Sequence, residues 1–216
     1  MTEVARYPVP AAQHRVEQSI DRSRFICTVR RIGSPDDAHA FLREMTTEFA
    51  DATHNCWAFV AGPPASTNSI GMSDAGEPHG TAGRPMLTVL LHSGVGEIAA
   101  IVTRYYGGTK LGTGGLVKAY GCSVQLALET LPLSERMDFL EVAMSIGYAS
   151  ITVFQLSLAA FEAEVLEQEY GVDVRYRIRL PRQHLAGFRA TMADATRGEA
   201  RIEECDVGPQ DRNSPA

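Results

Sequence analysis

One stretch of the chain combines positive charge with glycine in a way that suits the binding of anions. Between Ile98 and Leu128 there is no aspartate or glutamate, although the 216-residue chain has 26 of them. The same stretch contains Arg104, Lys110 and Lys118, and the chain has no other lysine. An ammonium group is a compact, flexible charge that suits a phosphate or carboxylate ligand. The stretch therefore predicts a local anion-binding surface.

Five glycines within Gly107–Gly115 add backbone donors, because they lie between a predicted buried strand and a predicted helix. Glycine permits positive φ and close approach of a ligand to the backbone. A helix N-terminus adds unpaired N–H groups and a partial positive charge. The alternative, that the turn serves packing alone, stays open. The predicted binding residues are Arg84, Arg104, Tyr105, Tyr106, Gly107, Gly108, Lys110, Gly112 and Lys118.

The segment matches neither of two common nucleotide-binding motifs. A P-loop requires lysine directly after its last glycine, whereas Gly112 is followed by Thr113. The dinucleotide fingerprint G-x-G-x-x-G fails because the series that begins at Gly112 ends in Val117. We therefore predict neither ATP nor NAD, and no other cofactor.

A second cluster contains Asp74, Glu77 and His79, which could act as acid and base or ligate a metal. Their spacing matches no specific ligand pattern, so no metal is predicted. Such residues also cap helices and close loops, and Glu77 could pair with Arg84 or with the basic stretch. The three residues remain secondary candidates for catalysis, and we expect a protein that binds rather than an enzyme.

A third group of charges lies on a predicted strand near the C-terminus. Arg175, Arg177 and Arg179 alternate with apolar residues, so they share one face of that strand. This face could bind nucleic acid, or it could pair with Glu164, Glu167 and Glu169 of the neighbouring strand. A sheet that binds RNA usually offers aromatic rings for stacking, and none is interleaved here. Cross-strand pairing is therefore the favoured interpretation.

The composition indicates a globular protein, with 44% hydrophobic and 21% charged residues. A net charge of −6 argues against a general nucleic-acid binder, so any anion site must be local. The start of the chain does not resemble a signal peptide, and no apolar run approaches the roughly 18 residues of a membrane helix. The four cysteines form no C-x-x-C pair, which is typical of reduced thiols. We expect a cytoplasmic protein that does not associate with a membrane. A monomeric state is compatible with the sequence.

Residues 1–133 are predicted to form an N-terminal α/β domain. Ser34 and Pro35 give a well-marked helix start, since serine caps helices and proline suits their first position. The predicted elements are strands at His14–Ile20, Arg24–Ile32, Asn55–Ala61 and Ile98–Thr103, and helices from Pro35, from Arg84 to about Leu91, and from Leu116 to about Leu131. Residues 1–13 are expected to be a loose lead-in, and residues 62–73 a loop.

Residues 134–207 are predicted to form a C-terminal domain with the order β-α-β-β-α-β, which is the ferredoxin-like arrangement. Its first strand is marked by Leu140, Val142, Met144 and Ile146, which alternate with more polar or small residues. Residues 208–216 are expected to be a disordered tail. The whole chain is thus predicted to be an α+β protein of two domains.

Four segments together resemble the signature of the YigZ/IMPACT family. They are Ser23–Ile26, Ser73–Pro78, Gly80–Pro85 and Arg104–Leu116. The resemblance is strong from residue 14 to about 131, and the remainder is similar to the C-terminal domain of the bacterial branch. Tyr106 stands where the family often has phenylalanine, and His79 where a small residue is common.

The resemblance implies a two-layer N-terminal domain like the second domain of a small-subunit ribosomal protein. It also implies a C-terminal domain like the last domain of elongation factor G. Eukaryotic IMPACT regulates translation by competing for the activator of an initiation-factor kinase. The expected function is therefore binding and regulation linked to translation, with RNA, the ribosome or a translation-associated protein as partner. Two alternatives stay open: an enzyme acting on a phosphorylated small molecule, and a protein–protein module that docks an acidic partner.

Overall fold

The fold is a mixture of helices and strands arranged in two compact units. A computed structural model describes residues 6–205, and the predicted tail at 208–216 lies outside that range. One unit is Tyr7–Arg136, and the other contains the described residues from Met137 onward together with Arg6. Within residues 6–205 no helix has both the length and the apolar character needed to cross a membrane.

The N-terminal unit is built on a five-stranded antiparallel sheet in the order β2-β3-β6-β4-β5. Its central strand is buried on both faces, which explains the continuous apolar run that begins at Ile98. The strands are β2 His14–Ile20, β3 Ser23–Arg31, β4 His54–Val60, β5 Ile70–Ser73 and β6 Ile98–Tyr105. A separate two-stranded sheet pairs β1 Arg6–Pro10 with β7 Leu133–Met137.

Helices cover both faces of this sheet. Phe41 and Met45 of α1 (Pro35–Glu48) pack with Phe59 and Ile101 on one face. On the other face, α2 (Gly83–His92) and α3 (Gly112–Glu129) pack against β3, β4 and β6. The unit therefore has three layers, and the predicted two-layer arrangement is wrong because α1 occupies the second face.

The start of α1 follows its sequence signals. Ser34 is extended, and its Oγ accepts a hydrogen bond from the backbone N of Asp37 at 3.2 Å. Pro35 occupies the first helical position, and two aspartates lie in the first turn, where the helix dipole favours negative charge. The third helix differs from expectation because α3 begins at Gly112. Lys118 therefore lies in its second turn and not at its start.

All four signature segments meet at one end of the sheet. Strand β6 ends at Tyr105, which lies opposite Arg24 of β3, and β4 begins with His54 opposite Arg104. Helix α3 begins shortly after β6 ends, and Gly83 at the start of α2 packs directly against Ser73 at the end of β5. We call this region the motif end of the N-terminal unit.

A buried carboxylate fixes the strand β1 to the loop that precedes β6. Glu97 accepts hydrogen bonds from Tyr7 Oη (2.8 Å), Arg31 Nε (2.8 Å) and Arg136 Nε (2.8 Å). Burial alone would raise the pKa of Glu97, but the three donors outweigh it, so its pKa lies below the ordinary 4.5. Burial and the bond to Glu97 raise the pKa of Tyr7 to about 12.

Replacing Glu97 by glutamine is expected to lower the free energy of unfolding at pH 7 by about 2 kcal/mol, because the change removes charged hydrogen bonds. Since the folded pKa of Glu97 is depressed, its contribution is complete above the ordinary glutamate pKa and is lost as pH falls through the folded value. Thermal unfolding of both proteins between pH 7 and pH 3 measures this. A gap in stability that stays constant below pH 4 would contradict the assignment.

The C-terminal unit contains a four-stranded antiparallel sheet with the order β11-β8-β10-β9. The elements are β8 Phe139–Ile146, α4 Ile151–Ala160, β9 Glu164–Tyr170, β10 Val174–Pro181, α5 Leu185–Thr196 and β11 Arg201–Glu204. Phe154 of α4 and Phe188 of α5 are fully buried against the apolar face of the sheet. The predicted order β-α-β-β-α-β is observed.

The three arginines of β10 lie opposite glutamates on β9. Arg175 pairs with Glu169, Arg177 with Glu167 and Arg179 with Glu164 in the strand register. The side chains between them, such as Tyr176 and Ile178, are buried under the helices. Arg177 forms ion pairs with Glu167 and Glu141. This arrangement supports cross-strand pairing as the role of this face.

Candidate functional site

The loop between β6 and α3 is exposed at its tip. This glycine turn, residues 106–111, leads directly into Gly112 at the start of α3. Gly108 and Gly112 have φ angles of +87° and +72°, which an L side chain rarely adopts. Apart from the adjoining residues and the helix's own backbone, no atom lies within 4 Å of the position of an added Cβ at Gly108, Gly112 or Gly114. The backbone of the turn is therefore open to a ligand.

The base of the glycine turn is held tightly, in contrast to its tip. A Cβ at Gly107 would lie 1.9 Å from the carbonyl oxygen of Arg22, so only glycine fits there. The backbone N of Gly107 donates to Ser23 Oγ (3.3 Å), and that of Tyr106 donates to Thr53 Oγ1 (3.0 Å). The turn is thus fixed on strand β3 and on the residue that precedes β4 before it reaches solvent.

The two helix starts at the motif end differ in their capping. Asp74 accepts hydrogen bonds from the backbone N of Gly80 (2.8 Å), Ala82 (3.0 Å) and Gly83 (2.8 Å), so it closes the start of α2. Burial would raise the pKa of Asp74, but these three donors together lower it. Helix α3 has no side-chain cap and no acidic residue in its first turn. Its first N–H groups remain available to an anion.

A buried polar network lies beneath the glycine turn. Arg104 Nη1 donates to Glu77 Oε1 at 2.6 Å, and the two side chains are only 6% and 3% exposed. Tyr120 Oη donates to the same carboxylate oxygen at 2.8 Å, and Arg104 Nη2 donates to Ser23 Oγ at 3.2 Å. Because Ser23 also holds Gly107, the network connects three of the signature segments to the turn.

The network continues to a buried thiol. The Sγ of Cys56 lies 3.4 Å from Tyr120 Oη and 2.9 Å from the carbonyl oxygen of Asp74. Burial raises the pKa of Cys56 to about 12, so the thiol stays protonated at neutral pH. Burial also raises the pKa of Tyr120. These two groups therefore act as neutral hydrogen-bonding groups inside the protein.

Two of the predicted binding residues do not present charge or a free hydroxyl to solvent. Arg104 was expected on the surface, but its guanidinium is buried against Glu77. The hydroxyl of Tyr105 donates to Asp51 (2.7 Å), and Arg24 lies over its ring. The pairing of Glu77 with the basic stretch is one of the alternatives that the sequence leaves open, and the structure shows it at Arg104 and not at Arg84. The contact of Tyr105 with Asp51 was not predicted, because Asp51 lies 54 residues earlier.

Four cations at the motif end make no ion pair with any described residue. Arg84, Lys110 and Lys118 were predicted from the sequence, and all three are exposed. Arg22 was missed; it is exposed in the β2–β3 turn, and its carbonyl contacts Gly107. Between residues 6 and 205, other arginines do form ion pairs with carboxylates, and among them Arg24 lies at the motif end itself. They include Arg6, Arg15, Arg24, Arg30, Arg31, Arg104, Arg136, Arg177, Arg182 and Arg189.

The secondary catalytic candidates lie close together, but two of them are occupied by structural partners. Asp74 accepts three backbone donors, and Glu77 accepts Arg104 and Tyr120. The side chain of His79 is fully exposed, and its Nδ1 lies 3.8 Å from Asp74 Oδ2. Within residues 6–205 no group of three or more His, Cys, Asp or Glu side chains is arranged to hold a metal ion.

Comparison with known proteins identifies the group of relatives. The family model of the Impact N-terminal domain matches residues 21–128, which include the whole motif end. IMPACT family member YigZ of Escherichia coli (strain K12) is 41% identical over 194 residues, covering 90% of this chain and 95% of that protein. The chain belongs to the IMPACT family. A second family model, a domain of unknown function (DUF1949), matches residues 144–199.

Other members of the IMPACT family match over similar lengths. IMPACT family member YvyE of Bacillus subtilis (strain 168) is 34% identical, covering 90% of this chain and 88% of that protein. A solved structure described only as that of a hypothetical protein is 39% identical. It covers 94% of this chain and 98% of its own, with a TM-score of 0.65. The relatives thus share both domains with this chain.

Proposed function

We propose that this IMPACT-family protein is a non-enzymatic binding protein linked to translation, and that its motif end binds the phosphates of RNA, free or within the ribosome. The observation that supports the proposal is an exposed glycine turn with Lys110 on it and Arg22 at its base, together with the exposed cations Arg84 at the start of α2 and Lys118 in the second turn of α3. None of the four forms an ion pair with a described residue. We assign this role to the N-terminal domain, residues 1–133, and treat residues 134–207 as a second, ferredoxin-like domain.

Charge at the motif end distinguishes this surface from the rest of the protein. The chain carries a net charge of −6, and most arginines are neutralised by a carboxylate. At the motif end the carboxylates of Asp51, Asp74 and Glu77 accept internal donors. Neither lysine forms an ion pair with a described carboxylate, and Asp21 beside Arg22 is exposed. Phosphate groups are the natural counter-ions of such a surface, and RNA supplies them in series.

The link to translation rests on resemblance. The eukaryotic IMPACT proteins regulate translation, and the family resemblance implies domains like parts of a small-subunit ribosomal protein and of elongation factor G. Resemblance of fold alone does not define a function, so the surface charges carry the main argument. An enzyme acting on a phosphorylated small molecule is less well supported, because Asp74 and Glu77 are committed to structural hydrogen bonds.

Reversing the charge of Lys110 is expected to weaken RNA binding about tenfold or more at low salt, because it removes one phosphate contact and adds repulsion. The dependence of log affinity on log salt concentration should fall by about 0.7–1. Fluorescence anisotropy with a labelled RNA oligomer, titrated at several salt concentrations, measures both effects for wild type and Lys110→Glu.

Arg43→Glu is the matched control for this experiment. Arg43 is also exposed and without an ion pair to a described residue, but it lies on α1, which covers the other face of the sheet. Its reversal changes the net charge equally and should leave the affinity within about twofold. An equal loss in both variants, or no RNA binding by the wild type at low salt, removes the proposal. Capture of a protein partner that depends on Lys110, without RNA binding, favours the protein–protein alternative.

A further inference from the structure

An aromatic ring stands at the edge of the glycine turn without the burial typical of a structural ring. Tyr106 is 46% exposed, whereas Phe25 and Tyr120 in the adjacent core are fully buried. Its backbone is fixed, because its N–H donates to Thr53 Oγ1 at 3.0 Å. Tyr106 is directly followed in the chain by Gly107 and Gly108 of the glycine turn.

The buried guanidinium of Arg104 supports this ring from within. Its central carbon lies 5.5 Å from the centroid of the Tyr106 ring and 5.4 Å from that of Phe25. The Nε of Arg104 is buried and has no hydrogen-bond partner, so part of this cation's polarity is not satisfied by the protein. The Tyr106 ring therefore contacts a cation on one side. Nearly half of the residue remains exposed to solvent.

The neighbouring tyrosine does not offer a comparable surface. Tyr105 is less exposed than Tyr106, and its hydroxyl is bound to Asp51. Tyr106 is therefore the aromatic side chain of the turn that a ligand can cover. A ligand made only of phosphate would have no use for it, whereas a nucleobase would gain from stacking on it.

We propose that the ligand of the motif end is single-stranded RNA, with an unpaired base stacked on Tyr106 and the adjoining phosphates on the backbone of Gly108 and on Lys110. This inference rests on the proposed function and names the form of RNA that the site selects. In a duplex the faces of the bases are covered by their neighbours, so the ring could not reach them. A single strand supplies an open base and its phosphates together.

The test compares three RNA ligands of one length with the full-length protein, by fluorescence anisotropy at low salt. They are a single strand without internal pairing, the same strand in a duplex, and a single strand that carries abasic sites. We expect the single strand to bind at least about tenfold more tightly than either of the others. Tyr106→Ala should weaken single-strand binding about 5- to 150-fold, the loss expected for one stacked base.

Two variants separate this inference from the proposed function. Tyr106→Phe keeps the ring and should bind the single strand within about twofold of wild type. Tyr106→Ala should bind the duplex and the abasic strand as the wild type does. Its unfolding temperature should fall by only a few degrees, since the ring is nearly half exposed although it contacts Arg104. If Tyr106→Ala binds the single strand normally while Lys110→Glu does not, stacking is wrong and phosphate binding stands. If no RNA binds the wild type, the proposed function itself fails.

Discussion

Replacing Glu77 by glutamine is expected to lower the free energy of unfolding by roughly 3–5 kcal/mol, because the change leaves the buried guanidinium of Arg104 without a counter-charge. Glutamine has nearly the same shape, so the loss reports charge and not a cavity. Chemical denaturation at neutral pH measures it. The same carboxylate accepts Tyr120, which adds to the disruption when the charge is lost.

Glu17→Gln provides the matched control, because Glu17 forms an ion pair with Arg24 at the same 2.6 Å separation on the exposed surface. Water screens that pair, so its loss should change stability little. A double variant, Glu77→Gln with Arg104→Met, should lose less than the two single changes combined, since neither charge is then left alone. Equal, small effects at Glu77 and Glu17 would contradict the role of the buried pair.

Replacing Gly107 by alanine should be at least as damaging, with a loss of more than about 4 kcal/mol or failure to fold. The new methyl group would overlap the carbonyl oxygen of Arg22 at 1.9 Å, and the atom that must move belongs to the backbone of the β2–β3 turn. Thermal unfolding followed by circular dichroism measures the effect. The variant should also lose its RNA binding, since the turn cannot keep its position on Ser23.

Gly114→Ala is the control for Gly107→Ala. Gly114 lies in the first turn of α3, where no atom outside the adjoining residues and the helix's own backbone is within 4 Å of the added Cβ. Alanine favours the helix and restricts the unfolded chain, so this variant should gain up to about 1 kcal/mol. If both alanine variants were tolerated alike, close packing beneath the glycine turn could not be the reason for Gly107.

Much of the fold follows from local signals in the sequence. Ser34 with Pro35 determines where α1 begins, and the apolar run from Ile98 gives the central strand β6. In the C-terminal unit, the alternation from Leu140 to Ile146 gives β8. These elements were predictable because capping, periodicity and burial act over a few neighbouring residues.

Other elements depend on partners far away in the chain. Strands β1 and β7 pair across more than 120 residues, and β5 is a four-residue strand that contains a glycine. Their own residues give weak strand signals, so they were predicted as a lead-in, a boundary and a loop. The three-layer arrangement was missed for a similar reason, since the sequence does not show which face α1 covers.

The candidate site was predictable as a region but not in its details. The absence of acidic residues around the glycines pointed to the motif end, and Lys110 is exposed there. Pairing of Glu77 with the basic stretch was one of the predicted alternatives, and Arg104 is the partner. The burial of that pair was not predictable, because the two residues lie 27 positions apart. Arg22 was overlooked because only the pairing of β2 with β3 and of β3 with β6 brings it beside Gly107.

The network beneath the glycine turn and the cations around it occupy separate sets of positions. Ser23, Glu77 and Arg104 are enclosed, whereas Arg84, Lys110 and Lys118 are surrounded by water. Exchange of a solvated side chain usually changes folding energy little. Substitutions at the exposed cations can therefore change which ligand the protein binds, while the free energy of unfolding of the domain stays almost the same.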